Sequence, residues 1–252
     1  MMALVVAGRE LRSLFLSPLA WSILAVVQLL LAYMFLSQMD VFMQLQGRLA
    51  GLEGAPGVTQ MVAMPVLANA AIVLLLVVPL LTMRLISEER RGQTIALLFS
   101  APLSMSEIVL GKFLGVMAFL ALMVAMIALM PLSLRLGAEI DFGMLAAGLL
   151  GLFLLVASFA ALGLYMSTLT AQPAVAAVAS FGALLLFWVI DWSGNANLGE
   201  AGGVLGYLSM LRHFEPLLKG VFDSSDVIYY LLFVVLFLGL SIRRLNADRL
   251  QH

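Results

Sequence analysis

The longest apolar run of the chain covers residues 142–190 and reads FGMLAAGLLGLFLLVASFAALGLYMSTLTAQPAVAAVASFGALLLFWVI. It contains no Asp, Glu, Lys, Arg or His. A helix needs about 20 apolar residues to cross a bilayer, so this run is too long for a single span. Pro173 lies near its middle, and proline is tolerated at the first position of a helix but breaks an interior one. We therefore predict two spans, 142–169 and 173–192, joined by a tight turn.

Four further stretches have the length and composition of a span. The chain is 63% apolar and only 11% charged, whereas a soluble domain carries about 25% charged residues. The last stretch is short, but Tyr229–Tyr230 and Arg243–Arg244 flank it as interfacial anchors. The sequence thus predicts an all-α integral membrane protein with a single domain, 1–252. The six predicted spans cover about 19–39, 61–85, 105–135, 142–169, 173–192 and 227–244.

Helix-capping residues lie where these spans should begin. Ser17 and Pro18 suit the start of the first span, because proline is favoured at the first helical position. Ser104 and Glu107 have the spacing of a capping box ahead of the third span. Asp141 and Asp226 are the predicted N-caps of the fourth and sixth spans.

The basic residues predict the orientation of the chain. Six spans put both termini on one side, which receives nine of the 13 Lys and Arg residues, leaving four for the other side. The positive-inside rule makes the richer side cytoplasmic. We therefore expect both termini to be cytoplasmic, and the first span to be retained rather than cleaved as a signal peptide. The nine are Arg9, Arg12, Arg84, Arg90, Arg91, Lys112, Arg243, Arg244 and Arg249, and the four are Arg48, Arg135, Arg212 and Lys219.

Several kinds of chemistry are excluded by residue usage. The chain has no cysteine and two histidines, which argues against disulfides and Cys/His metal sites. The centres of the spans carry no ionisable residue of the kind that ion-coupled transporters and intramembrane proteases require. The phosphate-binding motif G-x-x-x-x-G-K-[ST] does not occur. We expect no catalytic residue, metal or cofactor on this chain.

Residues 1–17 and two small-residue spacings bear on packing. Arg9 and Arg12 stand among apolar residues in 1–17, which fits an amphipathic helix at the cytoplasmic interface and equally a basic flank to the first span. Gly111-x-x-x-Gly115 and Ala147-x-x-x-Gly151 allow close approach of another helix.

The longest predicted cytoplasmic loop joins the second and third spans. Ser87 can cap a short helix over 87–101, with Glu88 and Glu89 in its first turn and Pro102 ending it. An apolar stripe recurs on this helix at helical spacing, made of Ile95, Leu98 and Phe99. The stripe fits a docking face for a partner better than a surface resting on lipid headgroups, which is the alternative.

Residues 193–226, between the fifth and sixth spans, are apolar but interrupted by charge. This pattern predicts re-entrant or interfacial short helices on the external side. Their candidate site residues are Arg212, His213, Phe214 and Glu215. His213 could contact a substrate, but a lone histidine beside charged residues is more often a satisfied interfacial residue.

Two segments resemble a known family. Pro79–Arg84, Ser87–Arg91, Thr94, Leu97–Leu98 and Pro102–Ser104 are similar to the loop of ABC-2 type permeases, whose pattern is roughly EERR-x-GT-x-E-x-LL-x-x-P. Tyr207–Phe214 and Gly220–Tyr230 are similar to the gliding-motility-associated branch. In this family the first segment forms a coupling helix that docks on an ATPase subunit. The docking residues that the resemblance implies are Glu88, Glu89, Arg90, Arg91, Thr94, Ile95, Leu97, Leu98, Phe99 and Pro102.

The chain departs from the family pattern at two positions. Gln93 stands where the family usually has glycine, and Ala96 where it usually has glutamate. Glu88 or Glu89 could supply the ionic contact in place of that glutamate.

The resemblance implies a six-span ABC-2 permease of the bacterial cytoplasmic membrane that exports or moves a substrate. It also implies two ATP-binding cassette ATPase subunits carrying Mg-ATP, a second copy of this permease or a related one, and an auxiliary membrane protein with an extracytoplasmic domain. The alternative is a non-transporting membrane scaffold or assembly factor whose cytoplasmic helix docks another partner.

Overall fold

The computed structural model of the chain describes residues 2–49, 56–94, 103–194 and 206–249. These residues are helical and contain no β-strand. A π-helical turn, Thr59–Ala63, leads into the third helix, and a 3-10 turn, Leu134–Leu136, follows the fifth. The helices of this part of the chain are α1 Met2–Leu16, α2 Pro18–Leu49, α3 Met64–Thr82, α4 Ser87–Arg91, α5 Met105–Ser133, α6 Phe142–Leu169, α7 Pro173–Gly194, α8 Met210–Leu218 and α9 Ser224–Arg249.

In the part of the chain that the structure describes, six helical segments are long and apolar enough to cross a membrane, which confirms the predicted number of spans. The outer faces of α2, α7 and α9 expose large apolar side chains, including Leu29, Val178 and Val235. Such faces are expected of helices that lie in lipid. The segments are Pro18–Gly47, Thr59–Arg91, Met105–Leu136, Phe142–Leu169, Pro173–Ile190 and Ser224–Arg249.

Local sequence signals explain most of the helix starts. The Ser104 hydroxyl accepts from Glu107 N, and the Glu107 carboxylate accepts from Ser104 N, so the predicted capping box is present. Asp141 caps α6 by accepting from Met144 N at 3.0 Å. Pro173 is the first residue of α7.

The predicted N-cap of the last span is wrong. Helix α9 begins at Ser224, and Asp223 accepts a hydrogen bond from Ser225 N at 2.9 Å. That backbone bond lowers the pKa of Asp223. Asp226 is instead buried inside the first turn of the helix, where it pairs with His213.

Helix α6 is the centre of the bundle. It packs against α3, α5, α7, α8 and α9, and every residue from Leu154 to Leu164 is buried. Gly151 lets α8 approach, because a Cβ atom there would lie 2.9 Å from Leu217 Cβ. Gly163 does the same for the end of α3, since a Cβ atom would collide with the Thr82 hydroxyl. The first part of the long charge-free run thus becomes the element on which α3, α5, α7, α8 and α9 pack.

Helix α1 lies along the start of α5. A Cβ atom at Gly111 would be 2.6 Å from Val6 Cβ, and one at Gly115 would be 2.7 Å from Glu10 Cβ. The Gly111-x-x-x-Gly115 spacing therefore receives the chain's own N-terminal helix. Helices α1 and α4 and the C-terminal part of α9 meet at one end of the bundle, here named the α4 end; α8 lies at the opposite, α8 end.

Candidate functional site

The predicted docking residues fall into a described and an undescribed group. Glu88, Glu89, Arg90 and Arg91 are in α4, and Thr94 follows in the next turn. The other docking residues lie outside the described residues, and their role stays a prediction: Ile95, Leu97, Leu98, Phe99 and Pro102.

The predicted helix 87–101 is not continuous. Helix α4 ends at Arg91, and Gln93 adopts the left-handed conformation, with φ of 55°. Thr94 N closes this turn by donating to Glu89 O at 3.0 Å. Ser87 is also not the cap, because it is the first helical residue and its hydroxyl donates back to Met83 O. The chain therefore turns sharply directly after α4.

Ser167 of α6 holds the bend between α3 and α4. Its hydroxyl oxygen accepts from Ile86 N and Ser87 N, both at 3.0 Å, and its hydroxyl donates to Met83 O at 3.0 Å. Ser167 is fully buried. One side chain thus satisfies three backbone groups that the bend leaves without helical partners. A single serine in an apolar helix carries no sequence signal for this role, so the sequence analysis missed it.

Glu89 belongs to a buried ion cluster. Its Oε1 atom lies 2.9 Å from Lys112 Nζ of α5 and 3.6 Å from the Arg9 guanidinium of α1. Lys112 also contacts Glu10 of α1 at 3.2 Å, and the Lys112 side chain is only 2% exposed. The cluster contains two cations and two carboxylates, so its charges balance. A buried charge is tolerable only when it is paired in this way.

Arg90 forms an ion pair between α4 and α9. Its guanidinium pairs with the Asp248 carboxylate of α9, and both side chains are mostly buried. Asp248 also lies 3.6 Å from Arg244, one turn earlier in α9. Glu89 and Arg90 are therefore bound within the chain, so Glu89 does not stand free to replace the family's usual glutamate.

Glu88 and Arg91 are on the opposite face of α4 and are exposed. They line a groove of about 980 Å³ that opens between the α3–α4 bend and the turn joining α6 to α7. Arg84 and Gln172 contribute further polar side chains. Among the described residues, the inner face of α4 is therefore bound to the bundle, and its outer face is exposed.

At the α8 end, His213 is buried and hydrogen-bonded through both ring nitrogens. Nε2 lies 3.0 Å from Tyr207 O, which can only accept, so Nε2 carries a proton. Nδ1 lies 2.7 Å from an Asp226 carboxylate oxygen. The ring stacks on Tyr229, with centroids 4.0 Å apart.

The other predicted residues of the external segment have different environments. Phe214 is buried and contacts the α6 surface near Gly151. Glu215 forms an exposed pair with Lys219 at 3.4 Å, and the Arg212 backbone N–H donates to Ser209, the N-cap of α8. Of these contacts, that of Phe214 attaches α8 to the bundle, and the other two lie within α8 and its caps.

A family model described as "ABC-2 family transporter protein" matches residues 4–250. The chain belongs to the ABC-2 transporter family. A search of curated proteins found no match. As an ABC-2 member with six membrane-crossing segments, the chain is a permease component of an ABC transporter and a multi-pass membrane protein. ABC-2 permeases are generally non-catalytic subunits that act with an ATP-binding cassette subunit.

Proposed function

We propose that this chain is the membrane subunit of an ABC exporter and that α4, with the loop after it, receives a separate ATPase on the cytoplasmic side. The observation that carries the proposal is the two-faced character of α4. Its inner residues are bound to α1, α5, α6 and α9, whereas Glu88 and Arg91 are exposed beside an open groove. A partner pressing on the outer face would move α4 together with the helices bound to it.

The orientation of this ABC-2 permease follows from charge. The α4 end carries Arg9, Arg84, Arg91 and Arg249, and it corresponds to the side with nine of the 13 basic residues. We infer that this end, with both termini, faces the cytoplasm of a bacterial cell. The α8 end, with His213 and Phe214, is then extracytoplasmic.

The assembly we propose contains two permease chains, identical or related, and two ATPase subunits that bind Mg-ATP. This chain would bind no cofactor of its own. The Thr94–Pro102 segment would complete the docking surface, with Ile95, Leu98 and Phe99 as its apolar part. The Tyr207–Tyr230 segment supports the gliding-motility-associated branch, in which an auxiliary membrane protein with an extracytoplasmic domain would join the complex.

The docking proposal is tested by reversing both charges of the outer face, Glu88→Lys with Arg91→Glu. Both side chains are exposed, so the fold should persist. We expect the wild-type permease to co-purify with an ATPase subunit in mild detergent and the double variant to lose it. The matched control, Glu215→Lys with Lys219→Glu, reverses an exposed pair at the α8 end and should retain the ATPase.

Two outcomes would count against the proposal. If the wild-type chain purifies without any ATPase, it acts as a scaffold for another partner. If the ATPase binds both double variants equally well, docking lies elsewhere on the permease.

A further inference from the structure

Lys112 is a buried cation for which ATPase docking supplies no direct use. It lies one residue after Gly111, in the stretch of α5 that receives α1, and its side chain is 2% exposed. Removing a lysine from water is costly unless carboxylates surround it. Here the two carboxylates come from different elements, Glu10 of α1 and Glu89 of α4.

The ammonium group therefore bridges two helices that share few other contacts. Among the contacts of the described residues, α1 packs chiefly on α5, and α4 packs on α6 and α7. The ion pairs that connect α1 to α4 are those of Lys112 and the longer Arg9–Glu89 contact of 3.6 Å, in which the Arg9 side chain is 68% exposed. Solvent weakens the exposed contact, so the buried bridge carries most of the connection.

We propose that Lys112 is a positioning residue that makes α1 and α4 move as one body, so that the N-terminal helix is part of the coupling apparatus. The inference rests on the proposed function, because it assumes that an ATPase drives α4. A displacement of α4 would pull on Lys112 through Glu89 and on α1 through Glu10. Both the N-terminal helix and the start of α5 would then follow α4.

The link itself is tested on the permease alone, reconstituted in nanodiscs. The chain contains no cysteine, so spin labels can be attached at Gly8→Cys in α1 and Arg91→Cys in α4. Gly8 has open space around it, and Arg91 is exposed. Pulsed electron spin resonance should give one narrow distance for the otherwise wild-type chain. Lys112→Met should broaden and lengthen it, and Lys219→Met, which breaks an exposed pair at the α8 end, should not.

A second comparison separates positioning from simple charge neutralisation. The triple variant Glu10→Gln, Lys112→Met, Glu89→Gln removes the whole set of bridging charges, so no unpaired charge remains buried. We expect it to regain thermal stability relative to Lys112→Met while keeping the broadened distance. If Lys112 served only to neutralise the two carboxylates, the triple variant would also regain the narrow distance, and the proposal would be wrong.

The functional test measures ATP hydrolysis by the permease–ATPase complex. In Glu10→Gln the Lys112–Glu89 contact is retained, and the ion pair between Lys112 and Glu10 of α1 is lost. We expect the ATPase to remain bound at wild-type stoichiometry. The rate of ATP hydrolysis by the complex should fall about fivefold or more, because typical coupling free energies correspond to factors of about 5 to 150. Hydrolysis at the wild-type rate would overturn the proposal. If no ATPase binds the wild-type chain, the proposed function fails, and the distance measurement still decides the inference.

Discussion

Gln93 shows how one residue can be strained by its position. Its φ of 55° is in the left-handed region that glycine adopts readily and other residues adopt at a cost of about 1–2 kcal/mol. It is also the position at which ABC-2 permeases usually have glycine. The turn after α4 thus holds Gln93 in a conformation that glycine would adopt more readily.

We expect Gln93→Gly to stabilise the protein by up to about 1 kcal/mol, because relief of the strain exceeds the entropy lost by the unfolded chain. The measurement is the thermal unfolding midpoint in detergent. Gln172→Gly is the control, since Gln172, in the α6–α7 turn, does not have a positive φ. A lower midpoint for Gln93→Gly than for the wild type would show that the side chain, and not the backbone, matters at this position.

Ser167 gives the second prediction at this scale. Ser167→Ala leaves the buried Ile86 N–H and Ser87 N–H without their side-chain partner, each worth about 1–3 kcal/mol, whereas Met83 O keeps the Ser87 hydroxyl. We expect a clear loss of stability and greater protease sensitivity at the α3–α4 bend. Ser158→Ala is the matched control, because Ser158 is equally buried but donates only to Leu154 O of its own helix. Equal midpoints for the two variants would contradict the role given to Ser167.

At the scale of helices, α1 depends on two glycines of α5. We expect Gly111→Ala to displace α1, because the added Cβ atom would lie within 2.6–2.8 Å of Val6 and Ala3 atoms. The spans should still insert, since their apolar residues are unchanged. Protease cleavage within residues 1–17 should therefore increase, while the amount of membrane-inserted protein stays the same.

The control for this change is Gly182→Ala in α7, where a Cβ atom meets no atom within 4 Å. It should be neutral or slightly stabilising, because alanine favours helix. An unchanged cleavage pattern in Gly111→Ala would mean that α1 does not pack on the α5 surface formed by Gly111 and Gly115.

The spans and caps of these helices could be predicted from the sequence because their signals are local. Residues 142–190 lack charge, Pro173 breaks them, and Ser104 with Glu107 forms a capping box within four residues. The ion cluster could not be predicted in this way. Lys112 and Glu10 are 102 residues apart, and Arg90 and Asp248 are 158 apart, so only the packing of helices brings them together.

Asp226 shows a second limit of prediction from the sequence, because here a local signal is present but indicates the wrong role. Its position at the start of a span fits an N-cap, and a local reading assigns it that role. Asp223 takes the cap because the helix begins earlier, and His213, from a separate helix, pairs with Asp226. A local bond to Ser225 N makes Asp223 the cap, and a tertiary contact with His213 gives Asp226 its role.

For the molecule as a whole, the two ends of the ABC-2 bundle differ in what they leave open. The α8 end satisfies its buried polar groups through His213, Asp226 and Tyr230, which donates to Met210 O at 2.8 Å. Among the described residues, the α4 end has the groove of about 980 Å³ beside Glu88 and Arg91, which is larger than the α8-end cavity of about 370 Å³ beside Phe214 and Glu215. Under the proposed function, energy from ATP hydrolysis would reach the permease through the α4 end. We propose that an ATPase binds at this end.

Photocrosslinking in intact cells can detect an ATPase bound at the α4 end. A photoreactive amino acid at Arg91 should form an adduct with an ATP-binding cassette ATPase, identified by mass spectrometry through its phosphate-binding loop peptide. The same probe at Leu136, which is 95% exposed at the opposite end of α5, should form no such adduct. An adduct with the ATPase from Leu136, or none from Arg91 while the wild-type complex co-purifies, would contradict the account.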